Sequence, residues 1–136
     1  MTDPSSRRDG SYYAEIGGAP AFERLVAKFY EGVADDLILR PLYPEEDLGS
    51  AELRLRMFLE QYWGGPNTYS ELRGHPRLRM RHQPFVIGDV ERDRWLHHMS
   101  IALDSISLTA EQRQRFWAYL VMAAHTMVNT ADNASQ

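Results

Sequence analysis

The chain has 136 residues, of which 43 % are hydrophobic and 25 % charged, with a net charge of −4 and no cysteine. That length suits one domain with a core built without staples, and the missing thiols exclude disulfides, iron–sulfur clusters, thiolate zinc sites and cysteine nucleophiles. The acidic balance argues against nucleic acid as a partner, and no apolar run approaches the ~20 residues of a membrane span. Arg7–Arg8 has no apolar segment behind it and is not a secretory signal, so a cytoplasmic protein is expected.

Residues 1–11 and 130–136 read as polar tails around one domain over 12–129. Gly17–Gly18 and a first-turn Pro20 open a helix. Its apolar stripe is Phe22, Leu25, Val26, Phe29, Tyr30 and Val33. A Pro- and acid-rich corner runs from Arg40-Pro41-Leu42-Tyr43-Pro44 to Gly49. Ser50 is then expected to cap a helix that carries Leu48, Ala51, Leu55, Phe58, Leu59 and Tyr62 on one face and stops at Gly64-Gly65-Pro66. The most basic stretch is His75-Pro76-Arg77-Leu78-Arg79-Met80-Arg81-His82, and Gln83-Pro84 ends any helix there. After Asp89 comes a stripe of Trp95, Met99, Ala102, Leu103 and Ile106. Thr109 with Gln112 forms a capping-box pattern, followed by Phe116, Leu120, Ala123, Ala124, Met127 and Val128. No segment of useful length alternates with period two, so the fold class is all-α.

Five histidines, His75, His82, His97, His98 and His125, show no H-E-x-x-H spacing. The chain also lacks a G-x-S-x-G elbow, a P-loop and a dinucleotide fingerprint. The acidic clusters Asp35-Asp36 and Glu45-Glu46-Asp47 read as solvated charge rather than a paired-carboxylate site. His82 has the most informative setting. Neutral imidazole is the commonest iron ligand in helical haem proteins, and Leu78 and Phe85 stand where they would pack on a flat apolar ring. Arg79 and Arg81 suit the ring's carboxylates, although a solvated basic face accounts for them equally well. Tyr30, Tyr43 and Trp95 lie on three separate segments. Together they would line a pocket with donors; singly each is an ordinary core aromatic.

Taken together, Gly17–Gly18, Phe29–Tyr30, Tyr43-Pro44, the run Arg54-Leu55-Arg56-Met57-Phe58-Leu59-Glu60-Gln61-Tyr62-Trp63-Gly64-Gly65, the stretch His75 to His82, and Trp95 resemble the group II truncated haemoglobins. The resemblance covers about residues 12–129. It implies a two-over-two helical sandwich holding non-covalent haem b. By the family's pattern His82 is the iron ligand, Tyr30, Tyr43 and Trp95 are distal donors, and Leu55, Phe58, Phe85, Leu78 and Met99 flank the ring. Arg54, Tyr69, His75 and Arg79 are the expected contacts to its carboxylates. Ala51 stands where many globins carry a distal histidine, which leaves ligand retention to the tyrosines and the tryptophan. Two departures lie away from the iron: Ile16 replaces a common aromatic, and the N-terminal tail is long.

The resemblance implies reversible binding of O₂, with CO, NO, peroxide or small anions as further ligands. High oxygen affinity and slow release would suit sensing, scavenging or redox chemistry better than bulk delivery. The alternative is a haem enzyme with peroxidase-like or NO-detoxifying turnover. The chain contains no nicotinamide or flavin module, so its electrons would come from an unidentified reductase. A homo-oligomer is compatible with either reading. Before the resemblance is considered, residues 73–82 also read as a basic patch for a polyanion.

Overall fold

The structure, a computed structural model, describes residues 11–44, 46–74 and 87–128. The predicted tails beyond residue 11 at one end and from 130 at the other, and the basic stretch with His75, Leu78, Arg79, His82 and Phe85, lie outside the described residues. Those residues form α1 (Tyr12–Glu15), α2 (Gly18–Ala34), a 3₁₀ turn (Arg40–Leu42), α3 (Gly49–Tyr62), α4 (Thr68–Arg73), α5 (Asp89–Asp104) and α6 (Ala110–Met127), with no strand among them.

The predicted stripe of α2 is buried in full: Phe22, Leu25, Val26, Phe29, Tyr30 and Val33. Six such side chains on one helical face are enough to fix α2 as the centre of the molecule. It packs against both α3 and α5, α5 packs on α6, and α4 lies against α3. This is a two-over-two helical sandwich. Rings seal the end where α1 enters. Phe116 of α6 meets Tyr12 at 5.9 Å and Trp63 at 5.3 Å, and the Tyr12 hydroxyl donates to the Gln112 carbonyl at 2.7 Å.

Helix ends follow local chemistry. Gly17, with φ 115°, turns the chain into α2 through a left-handed conformation that a side chain would resist. Thr109 and Gln112 cap α6 reciprocally: the Gln112 amide donates to the Thr109 hydroxyl at 3.1 Å, and the Thr109 amide donates to the Gln112 side chain at 3.0 Å. Glu91 performs half of that service for α5, accepting from the Gly88 amide at 2.8 Å. The α3 helix corrects an expectation. Ser50 is not its cap but lies inside its first turn, and Asp47 accepts from the Gly49 amide at 2.7 Å instead. The bend at 46–48 brings that carboxylate to the helix start before Ser50 is reached. Trp63 and then Gly64 (φ 98°) end α3, as the Gly-Gly-Pro signal predicts.

The α2–α5 contact is close because residue 32 lacks a side chain. A Cβ on Gly32 would run into the imidazole of His98. Overpacking of this kind costs about 1–3 kcal/mol. Gly32→Ala is therefore expected to lower stability by that amount in urea denaturation, and His98→Ala in the same chain should recover part of the loss.

Candidate cofactor pocket

Between the two helix layers lies a cavity of about 480 Å³. This falls within the range of about 300–1,000 Å³ typical of small-molecule sites. Helix α3 supplies Leu55, Phe58 and Leu59 to its wall, and α6 supplies Leu120, Ala123, Ala124 and Met127. Leu39, Leu42 and Ile87 close it from the connecting segments. Three cationic side chains, Arg54, Arg73 and Arg92, reach the same space. An apolar interior with guanidinium groups at its margin accepts a large apolar ligand that carries carboxylates.

Tyr30, Tyr43 and Trp95 all reach this cavity, from α2, the corner and α5. Their rings are linked edge to face. Trp95 meets Phe29 at 5.5 Å, Phe29 meets Tyr30 at 4.9 Å, and Tyr30 meets Tyr43 at 5.6 Å. Burial pushes the Tyr30 phenol well above its ordinary pKa, and the neighbouring Tyr43 hydroxyl, hydrogen-bonded to it, pushes the same way. Tyr30 is therefore a neutral O–H donor at physiological pH. Ala51, buried at the same cavity, adds no donor.

One carboxylate holds two of these segments in place. Asp36, just beyond α2, is buried, and its Oδ1 accepts from the backbone amides of Ile38 at 2.8 Å and Leu39 at 3.1 Å. Its Oδ2 meets Arg94 Nε at 3.0 Å and His98 Nε2 at 2.6 Å, both on α5. Arg40 extends the network by donating to the carbonyls of Tyr43 and Glu46, each at 2.8 Å. Asp36 thus ties the corner that bears Tyr43 to the helix that bears Trp95.

Among the other residues singled out in the sequence, Leu55, Phe58, Tyr69 and Arg54 line the cavity. Met99 does not: one turn beyond Trp95, it is fully buried in the core cluster. His75, Leu78, Arg79, His82 and Phe85 lie outside the described residues. Arg73, Arg92, Tyr119 and the α6 aliphatics were not singled out for the site. The α6 stripe gave no warning, because a side chain that faces a cavity has the same spacing as one that faces a core.

The sequence profile of the Bacterial-like globin family matches residues 11–129. A group 2 truncated haemoglobin of Bacillus subtilis is 40 % identical over 118 residues, which is 87 % of this chain and 89 % of that protein. A thermostable haemoglobin from the actinobacterium Thermobifida fusca superposes with a TM-score of 0.87 at 62 % identity, covering 89 % of this chain and 98 % of that one. The truncated oxygen-avid haemoglobin of Bacillus subtilis superposes at 0.83 with 40 % identity, covering 88 % of this chain and all of its own. The two-over-two sandwich and its apolar, arginine-edged cavity define a truncated globin. The chain belongs to the bacterial-like globins, among the group II truncated haemoglobins. Membership brings haem b as cofactor and small gaseous ligands at its iron, and the cavity described above fits that group in both its apolar walls and its guanidinium edge. No helix among the described residues is long and apolar enough to cross a membrane.

The Asp36 cluster has a pH signature. Burial alone would raise this carboxyl's pKa, but the bonds from His98, Ile38, Leu39 and Arg94 outweigh it and hold the group well below the usual range. A depressed folded pKa contributes stability that is whole above the unfolded value of about 3.9 and is lost as pH falls below it. Asp36→Asn is expected to cost roughly 1.5–3 kcal/mol at neutral pH, the scale of charge-assisted hydrogen bonds. The gap to the unaltered protein should narrow below about pH 4. Urea titrations across acid and neutral pH measure both effects.

Proposed function

We propose that this globin binds O₂ with high affinity and releases it slowly, with Tyr30, Tyr43 and Trp95 as the donors that retain the ligand. The observation that carries the reading is the convergence of these three polar-tipped aromatics, from three separate segments, on one apolar cavity. Haem b, when bound, supplies an iron with a face open to a small ligand. His82 is the residue proposed to hold that iron. Leu55, Phe58, Leu78 and Phe85 are proposed for the faces of the ring, and Arg54, Tyr69, His75 and Arg79 for its carboxylates.

The chain's own contribution is donation in a dry site. Tyr30 keeps its proton at neutral pH, and with one of the two phenol protons engaged in the Tyr30–Tyr43 bond, the pair has a second to offer an acceptor within the cavity. Tyr43, bonded to Tyr30, restricts the rotation of that hydroxyl. The apolar walls exclude water that would compete for the same donors. Hydrogen bonds to a charged or strongly polarised acceptor contribute roughly 1.5–3 kcal/mol, or ~10–100-fold in release rate at 1.4 kcal/mol per tenfold. A relative of 40 % identity described as oxygen-avid supports the same direction. Such retention suits sensing, scavenging or redox chemistry rather than delivery.

Two measurements test the reading. Titration with haemin should give a Soret band that saturates at one haem per chain, and His82→Ala should abolish or broaden it. A Soret band unchanged in that variant removes His82 from the iron. In stopped-flow displacement of O₂ by CO, Trp95→Phe is expected to speed release by ~10–100-fold, the loss of one charge-assisted bond. An unchanged rate removes Trp95 as a donor.

A further inference from the structure

We infer that Gln61 is a latch: its side-chain amide, clamped on Ser70, holds α4 against α3 and thereby sets how slowly haem leaves the cavity. The inference rests on the haem reading above, but it concerns retention of the cofactor and not of the gas at its iron. Helix α4 has six residues, and a helix that short does not hold its shape alone in water. It nevertheless presents Tyr69 and Arg73 to the cavity. Its place at the wall therefore depends on what ties it to its neighbours.

Apolar anchoring of α4 is slight. Tyr69 is its one buried residue, and the ring meets Phe58 of α3 edge to face at 5.7 Å. Leu72, the other large apolar side chain of α4, is 69 % exposed and contributes little burial. The Arg73 guanidinium lies 5.9 Å over the Tyr69 ring, so the helix's cation is carried by the same anchor. Of the helices that line the cavity, α4 buries the fewest residues. Elements with few buried contacts open first, so α4 is the wall through which a bound group escapes.

The second anchor is polar and comes from the preceding helix. Asn67 occupies the cap position of α4, but its side chain makes no capping bond. Gln61, in the last turn of α3, performs that service instead. Its Oε1 accepts from the Ser70 amide at 2.9 Å, one of the first-turn N–H groups that the helix itself cannot satisfy. Its Nε2 donates to the Ser70 hydroxyl at 2.7 Å. Both ends of one planar amide are thus engaged on one residue, which fixes the orientation of α4 as well as its distance. With the clamp closed, Tyr69 and Arg73 stay at the cavity. With it open, a six-residue helix hangs on a single ring.

The test follows transfer of haemin from the loaded protein to excess apomyoglobin by the change in the Soret band. Gln61→Leu, which keeps the bulk and removes both bonds, is expected to speed transfer by ~10-fold. Gln61→Glu should transfer at close to the unaltered rate, because its carboxylate accepts from the Ser70 amide and from the Ser70 hydroxyl turned to donate. Ser70→Ala, which loses one bond of the two, should fall between them. Hydrogen exchange in the loaded Gln61→Leu protein should rise over residues 68–74, while its O₂ release stays unchanged because Gln61 is not at the cavity wall. Unchanged transfer in Gln61→Leu, or equal acceleration in Gln61→Glu, would overturn the latch. If Gln61→Leu does not fold, an unchanged rate in Ser70→Ala overturns it equally. Failure of haemin to saturate the unaltered protein would instead refute the haem reading, and this inference with it.

Discussion

The carboxylate of Asp36 is the interaction on which the site's frame depends. A buried charge is tolerated only when it is fully bonded, and Asp36 meets that condition with two backbone amides, a guanidinium and an imidazole. Each partner belongs to a piece that the cavity needs. The amides start the corner that leads to Tyr43, and the Arg94 and His98 side chains bracket Trp95 on α5. Satisfying one desolvated group therefore fixes the separation between two cavity-lining aromatics that are distant in sequence. The bare backbone at Gly32 makes the arrangement sterically feasible by admitting the His98 ring against α2.

Much of this was legible from residue spacing. The α2 stripe is unambiguous because six large apolar side chains recur on one face, and every one is buried. The Thr109–Gln112 cap reads correctly because both partners lie within four residues and need nothing else. The convergence of Tyr30, Tyr43 and Trp95 was visible only as a condition, since spacing along the chain says nothing about meeting across it. The family resemblance supplied that step, and the cavity now gives it a physical form.

What escaped the sequence escaped for definable reasons. Ser50 and Asp47 both bear a capping oxygen, and the choice between them is made by backbone angles at 46–48 that no pattern encodes. Met99 sits on the same helical stripe as Trp95, but a single turn carries it from the cavity into the core. Asp35-Asp36 reads as solvated charge because acidic pairs usually are. The partners that bury Asp36 come from about sixty residues downstream, beyond the reach of any local pattern.

The same cavity has a consequence for the abundance of the protein in a cell. Its walls are built from aliphatic side chains that in another helical domain would touch each other, so part of the apolar burial that favours folding is deferred until the space is filled. Anything that binds the folded chain and not the unfolded one adds stability in proportion to the logarithm of its concentration over its dissociation constant. The empty chain is accordingly more open to proteolysis than the filled one. Supply of the cofactor thus bears on how long a newly folded chain survives, through the filling of this one cavity.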